Sequence, residues 1–290
     1  MLSRSLPSVL LLGSVLTLSA CADDAAPVDE TSGPAVGPSA QTPRLRVDRI
    51  ARDVPYTGED LVRNFRRVAF GSEYSIRDGR TSEPSPDAEL KLRRWEGPVR
   101  YVLTGWISET DRAQAAETAA RLAAATGLSI TPVGIEKNPE LEIRFLSEQD
   151  RAEQVAEFAG PRKDSPLAEL FLAWAGVPGW SCAGEFYYRD VPDPQAHEIQ
   201  YGVIYIRDET RGLHRQACIE EEFSQILGLT RDHPLVRPSI FNDDEEFALL
   251  TRHDEQLLRI LYDPRLRPGM TPDEAMPLVR DVVLGMVPGG

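Results

Sequence analysis

The segment from His214 to Leu229 (HRQACIEEEFSQILGL) gathers the groups in this sequence best able to do chemistry. Wound as a helix at about 100° per residue, it puts Ile219, Phe223, Ile226 and Leu227 on one apolar stripe. His214, Cys218, Glu221, Glu222 and Gln225 then share the opposite side. Glu222 could take up or deliver a proton. Glu221, Gln225 and the downstream Asp232 could hold a ligand by hydrogen bonds or offer oxygen donors to a cation. His214 and Cys218, one turn apart, have the spacing of a thiol and its base. Three readings stand side by side: a solvated face on an amphipathic helix, a binding cleft, or an enzyme using these groups with an unusual metal or none.

The elements around this helix are written in capping logic. Thr57-x-x-Asp60, Ser108-x-x-Asp111, Thr251-x-x-Asp254 and Thr271-x-x-Glu274 each set a hydroxyl three residues before a carboxylate. Ser85-Pro86, Ser165-Pro166 and Thr271-Pro272 put proline at a first helical position. The alanine-rich run from Glu109 to Thr126 is a helix that Gly127 ends. Runs rich in β-branched and aromatic residues predict strands at Arg100 to Trp106, Leu141 to Leu146, Phe186 to Arg189 and Ile199 to Ile206. Strands mixed with helices, and an antiparallel pair at one edge, predict an α+β fold. Trp95, Trp106, Trp174 and Trp180 read as packing residues, and His197 and His253 as surface or capping residues.

The leader and the cysteines bear on location. Arg4, the apolar run Val9 to Leu18, and Leu18-Ser19-Ala20 before Cys21 read as a secretory signal over residues 1–20. Residues 22–43 mix Pro, Gly and acidic residues with little apolar content, the composition of a disordered linker. A globular domain over 44–290 follows. The net charge is −14, and removing Arg4 with the leader makes it −15; such a surface disfavours nucleic acid. Beyond Cys21, Cys182 and Cys218 remain. In an oxidising compartment a lone pair forms a disulfide; the rival is a free thiol.

The Leu-Ser-Ala-Cys ending resembles the lipobox of bacterial lipoproteins. The resemblance implies that Cys21 is acylated and that the bilayer holds the chain at the cell envelope. Glu221-Glu222-x-x-Gln225-x-x-Gly228-Leu229 resembles the His-Glu-x-x-His-x-x-Gly-Leu helix of zincin metallopeptidases, with both histidines replaced. The zincin resemblance implies that Ile199 to Ile206 is the edge strand that binds extended peptide and that Ser239-Ile240-Phe241 stands at the Met-turn. The body is also similar to a family of bacterial lipoproteins catalogued as domain of unknown function 2927. Leu92-Arg93-Arg94-Trp95 to Val102, Cys218 to Leu229 and Ser239 to Met270 carry that similarity. The implied fold is zincin-like α+β. The departures bear on chemistry. Arg231 occupies the third ligand position, although Asp232 and His233 adjoin it, and an oxygen-only set suits Ca²⁺, Mg²⁺ or Mn²⁺ better than zinc. The expectation is therefore no cofactor and a role as a binding or structural module at the cell envelope, with peptide or an envelope protein as the partner. The alternative is a metal-dependent peptidase with Glu222 as general base.

Overall fold

The computed structural model describes residues 54–73, 75–77, 80–82, 90–165, 167–188, 197–242 and 247–286. The leader, Cys21, the linker, Ser85-Pro86 and the acidic run 243–246 lie outside the described residues. Helix α1 spans Gly58–Ala69, and a two-stranded hairpin, β1 (Ser75–Arg77) and β2 (Arg80–Ser82), follows it. Next come β3 (Val99–Gly105), α2 (Glu109–Thr126), β4 (Ile130–Pro132), β5 (Leu141–Leu146), α3 (Glu148–Phe158) and α4 (Ala168–Gly176). The last part is β6 (Cys182–Tyr188), β7 (Ile199–Arg207), α5 (Gly212–Gln225), α6 (Arg252–Leu261) and α7 (Pro272–Met286).

The caps form where the hydroxyl–carboxylate spacing puts them. Thr57, Ser108 and Thr251 each accept from the backbone N–H three residues on, and the carboxylate there accepts from the capping residue's own N–H. Thr271 and Glu274 make the same exchange. A further box, Ser147 with Asp150, opens α3. Gly127 closes α2 in the left-handed region at φ 77°, where a side chain would be strained. At Ser165-Pro166 the helix starts later than the proline suggests, because α4 begins only at Ala168.

Five strands form one mixed sheet in the order β4-β3-β5-β7-β6. All neighbours are parallel except β6, which runs antiparallel to β7. This corrects the expectation for Ile199 to Ile206: that segment lies inside the sheet, and the edges are β4 and β6. The cause is visible in β7, where Val203, Ile204, Tyr205 and Ile206 are buried in succession. A strand covered on both faces needs such an unbroken apolar run. One face packs against α1, α2, α5, α6 and α7 through a large core that includes Phe65, Tyr101, Phe223 and Leu258. The other carries a smaller core of α3 and α4 residues, in which Phe171 and Trp174 contact Tyr205.

Two residues expected elsewhere change place. His253 is fully buried, its Nε2 3.1 Å from Asn64 Nδ2 and its ring edge-on to Tyr56, because α6 turns it into the core. Trp106 is 62% exposed instead of packed, with its indole N–H donating to Asp150. Among the described residues no helix is long and apolar enough to cross a membrane.

Candidate functional site

The site is built where α5 crosses beneath β6. An α-helix rises about 6 Å in four residues, and a strand advances about 6.6 Å in two. Equivalent side chains therefore stay in step along the two elements. Cys218 bonds to Cys182, closing the bridge expected of the lone pair and leaving His214 no thiol to activate. One turn on, Glu222 Oε2 lies 2.8 Å from where a Cβ on Gly184 would stand. A turn further, Ile226 Cγ1 lies 2.8 Å from the same point on Gly202, which pairs with Phe186. The two glycines leave the sheet face bare, so the helix can approach closely.

Both ends of α5 are fixed by other elements. Near the start, Arg215 donates from Nε to Asp111 Oδ1 (2.6 Å) and from Nη2 to Asp111 Oδ2 (2.9 Å), both side chains being buried. Beyond the last turn, the Trp95 indole donates to Ile226 O at 2.9 Å and the Tyr262 hydroxyl to Leu227 O at 2.9 Å. These satisfy carbonyls that a helix end leaves without partners. Gly228 then turns the chain at φ 116°, pressed against Arg93 O.

The three consecutive glutamates face different surroundings. Glu220 is buried and fully engaged: it accepts from Leu250 N (2.8 Å), Gln216 and Arg121. Its task is structural. Glu222 is only 5% exposed, and its Oε2 has no hydrogen-bond partner among the described residues. Burial, and then the charge of Asp232, push its carboxyl up to about 8. Glu221, half-buried, is raised well above the ordinary carboxylate value by burial and by Asp232, Glu222 and Glu73, in that order. Gln225 joins the group by donating from Nε2 to Asp232 Oδ1 at 2.8 Å. The structure thus brings Glu221, Glu222, Gln225 and Asp232 together.

The remaining candidates fall to other tasks. The side chain of Arg231 lies against Gly71, where an added Cβ would be 2.1 Å from its Cδ. His233 Nδ1 accepts from Leu235 N. Ser239 and Ile240 are tied to the buried Asp254, by the Ser239 hydroxyl (2.5 Å) and the Ile240 N–H (3.1 Å). His197, at φ 70°, stacks near Tyr188. Among the described residues, no three His, Cys, Asp or Glu side chains are grouped as a metal ion requires.

A cavity of about 290 Å³ opens beside these residues, at the outer edge of β6, to which no further strand pairs among the described residues. Gly184, Phe186, Gln225 and Ile226 reach it from the α5 side; alternation along the strand turns Glu185 the other way, towards Glu169 of α4. Burial, followed by the charge of Glu169, raises Glu185 to about 7, although the Tyr187 hydroxyl donates to it. Arg93 closes another wall. Sequence reasoning missed Arg93, Gly184 and Glu185. Only the glycine within an otherwise aromatic strand offered a signal.

A family described as "Protein of unknown function (DUF2927)" matches residues 58–281. The chain belongs to this family. The match runs from the start of α1 into α7 and takes in every residue of the site. No curated protein matches the chain.

Proposed function

We propose that this member of the family is an exported lipoprotein whose zincin-like body serves as a binding module at the cell envelope. The observation that carries the reading is the cavity at the outer edge of β6, to which Gln225 and Ile226 contribute from the end of α5 and Arg93 from the wall opposite Glu169. An exposed strand edge can accept an extended peptide through main-chain hydrogen bonds, and an adjoining pocket can take one side chain or chain end. The edge strand that the zincin resemblance calls for is then β6. Zinc does not fit the donor set: Gln225 is engaged with Asp232, Arg231 is turned onto Gly71, and the two imidazoles are replaced by a carboxylate and an amide.

A second reading has one observation in its favour. A carboxyl that titrates at about 8 suits proton transfer near neutral pH, so Glu222 could serve a peptide hydrolase. One set of measurements separates the two. The purified full-length protein is dialysed, assayed for metal, and incubated with a fluorescent pool of random-sequence peptides. A binding module retains peptide without cleaving it, in the wild type and in Glu222→Gln alike, and loses it when Glu169→Trp, at an exposed position of the lining, obstructs the cavity. Stoichiometric metal lost in Glu221→Ala, with cleavage abolished in Glu222→Gln, would establish the hydrolase.

Attachment through acylated Cys21 is a separate part of the proposal, supported by the leader and lipobox residues. Cys21→Ser should move the product from the membrane fraction to the soluble one or stop its processing. Unchanged detergent partitioning would overturn it.

A further inference from the structure

The cavity at the edge of β6 is lined by charges of both signs, and among the described residues its one guanidinium forms no ion pair with its carboxylates. Arg93 is buried, and both of its hydrogen bonds leave from Nη2, to Gly71 O (3.0 Å) and Thr230 Oγ1 (2.8 Å). Its Nε has no partner, and it forms no ion pair with any carboxylate among the described residues. The guanidinium sits over the Phe186 ring, 5.2 Å from the centroid. Stacking and the two Nη2 bonds hold it in place, so it cannot swing towards the acids that line the same cavity. A buried guanidinium with no carboxylate partner among the described residues is costly, and its Nη1, which makes no hydrogen bond among them, can donate to a carboxylate. Burial lowers Arg93 to about 10, which leaves it a cation at neutral pH.

The opposite wall has the complementary shortage. Glu169 forms no hydrogen bond or ion pair among the described residues, and Glu185 has only the neutral Tyr187 hydroxyl. Glu73 adds a third carboxylate to the lining. Arg93 stands on one wall, and Glu169 and Glu185 stand together on the other. Inorganic phosphate would satisfy Arg93 but leave the carboxyl groups of Glu169 and Glu185 without a donor, and a simple amine would leave Arg93 as it is. A volume of about 290 Å³ is at the small end of ligand pockets and suits an amino acid or a chain end.

We infer that this cavity binds a small basic zwitterion, with a carboxylate on Arg93 and ammonium groups on Glu169 and Glu185. The source is either a free basic amino acid or the last residue of a peptide lying along β6. The inference rests on the binding-module reading and names what that module holds.

Titration calorimetry on the full-length protein tests it. The probes are free L-lysine and a short peptide ending in lysine with a free carboxylate. Controls are the same peptide as its amide, cadaverine, glutarate and inorganic phosphate. We expect at least one of the two lysine probes to bind, and the amide, cadaverine and glutarate to bind at least tenfold more weakly. Lysine alone points to the free amino acid, and the peptide alone to a chain end. Arg93→Gln should cost at least tenfold. Because Arg93 also braces Gly71 and Thr230, Glu169→Gln on the exposed start of α4 provides a variant that keeps the fold. It should weaken lysine binding at least threefold without shifting the thermal midpoint. Glutarate or phosphate binding as tightly as lysine would overturn the inference in favour of a plain anion site. Failure of both lysine probes would also overturn it. In that event the binding-module reading survives if the random peptide pool still binds and Glu169→Trp still abolishes it. If the pool fails too, both fall.

Discussion

Replacing Glu222 with glutamine should make the protein more resistant to denaturation as pH rises, relative to the wild type. The unfolded side chain titrates near 4.5, whereas in the fold burial and Asp232 push it up to about 8. Between those values the folded protein keeps a proton that the unfolded chain has released. Raising the pH therefore favours the unfolded state, and wild-type stability declines across this window. Below 4.5 both states are protonated and the effect vanishes. From pH 5 to pH 8, at about 1.4 kcal/mol per pH unit and with half a proton lost from the fold at the upper end, the decline is about 3.5 kcal/mol. Glutamine keeps the shape and has no such titration. Its amide also meets a position where Oε2 lacks a partner, a cost of about 1–3 kcal/mol that is nearly independent of pH. Glu221 is raised by the same neighbours and contributes a slope of the same sign to both proteins. The assay is urea unfolding with the disulfide intact, at half-unit steps from pH 5 to pH 8. Glu222→Gln should be equal or slightly weaker at pH 5, and should gain on the wild type by a few kcal/mol by pH 8. Parallel stability curves would refute the account of a buried, protonated Glu222.

Other perturbations test the scaffold that sets this pH response. Gly184→Ala would place a methyl group 2.8 Å from Glu222 Oε2, so it should cost about 1–3 kcal/mol in thermal unfolding; a neutral result would show that the carboxylate can move aside. Removing the Cys182–Cys218 bridge as a double serine variant frees a loop of separation 36 and should cost about 4 kcal/mol by chain entropy, read as a lower urea midpoint. Asp111→Ala leaves the buried Arg215 only the longer ion pair to Asp208 at 3.6 Å and removes half of the capping box that opens α2. A loss of about 3–5 kcal/mol is expected, and a change under about 1 kcal/mol would mean that α5 is anchored by other contacts.

Much of the local structure was legible because it is decided by neighbours in the chain. A hydroxyl three residues before a carboxylate makes its hydrogen bonds within a single turn. The helix starts at Thr57, Ser108, Thr251 and Thr271 accordingly follow from spacing, as does the stop at Gly127. The apolar stripe of α5 was legible by the same reasoning, since Ile219, Phe223, Ile226 and Leu227 all enter the core. The Cys182–Cys218 pair was readable by arithmetic, there being no other partner once Cys21 is set apart.

The rest depended on which distant segments meet. A run such as Tyr201 to Ile206 pairs equally well at the edge or the middle of a sheet, and only its neighbours β5 and β6 placed it inside. Glu220, Glu221 and Glu222 look alike in sequence. Their characters diverged because Arg121 and Leu250 N reach the first, Asp232 adjoins the second, and Gly184 leaves the third a dry place without a partner. Arg93 gave no sign at all, since the acids around its cavity lie on α4, on β6 and beside α1. The sequence alone determined which groups are ionisable and which turns begin helices. Only the tertiary structure decided which charges are desolvated and which lack a counter-ion, because solvation and Coulomb energies depend on three-dimensional distance and local dielectric, neither of which follows from separation along the chain.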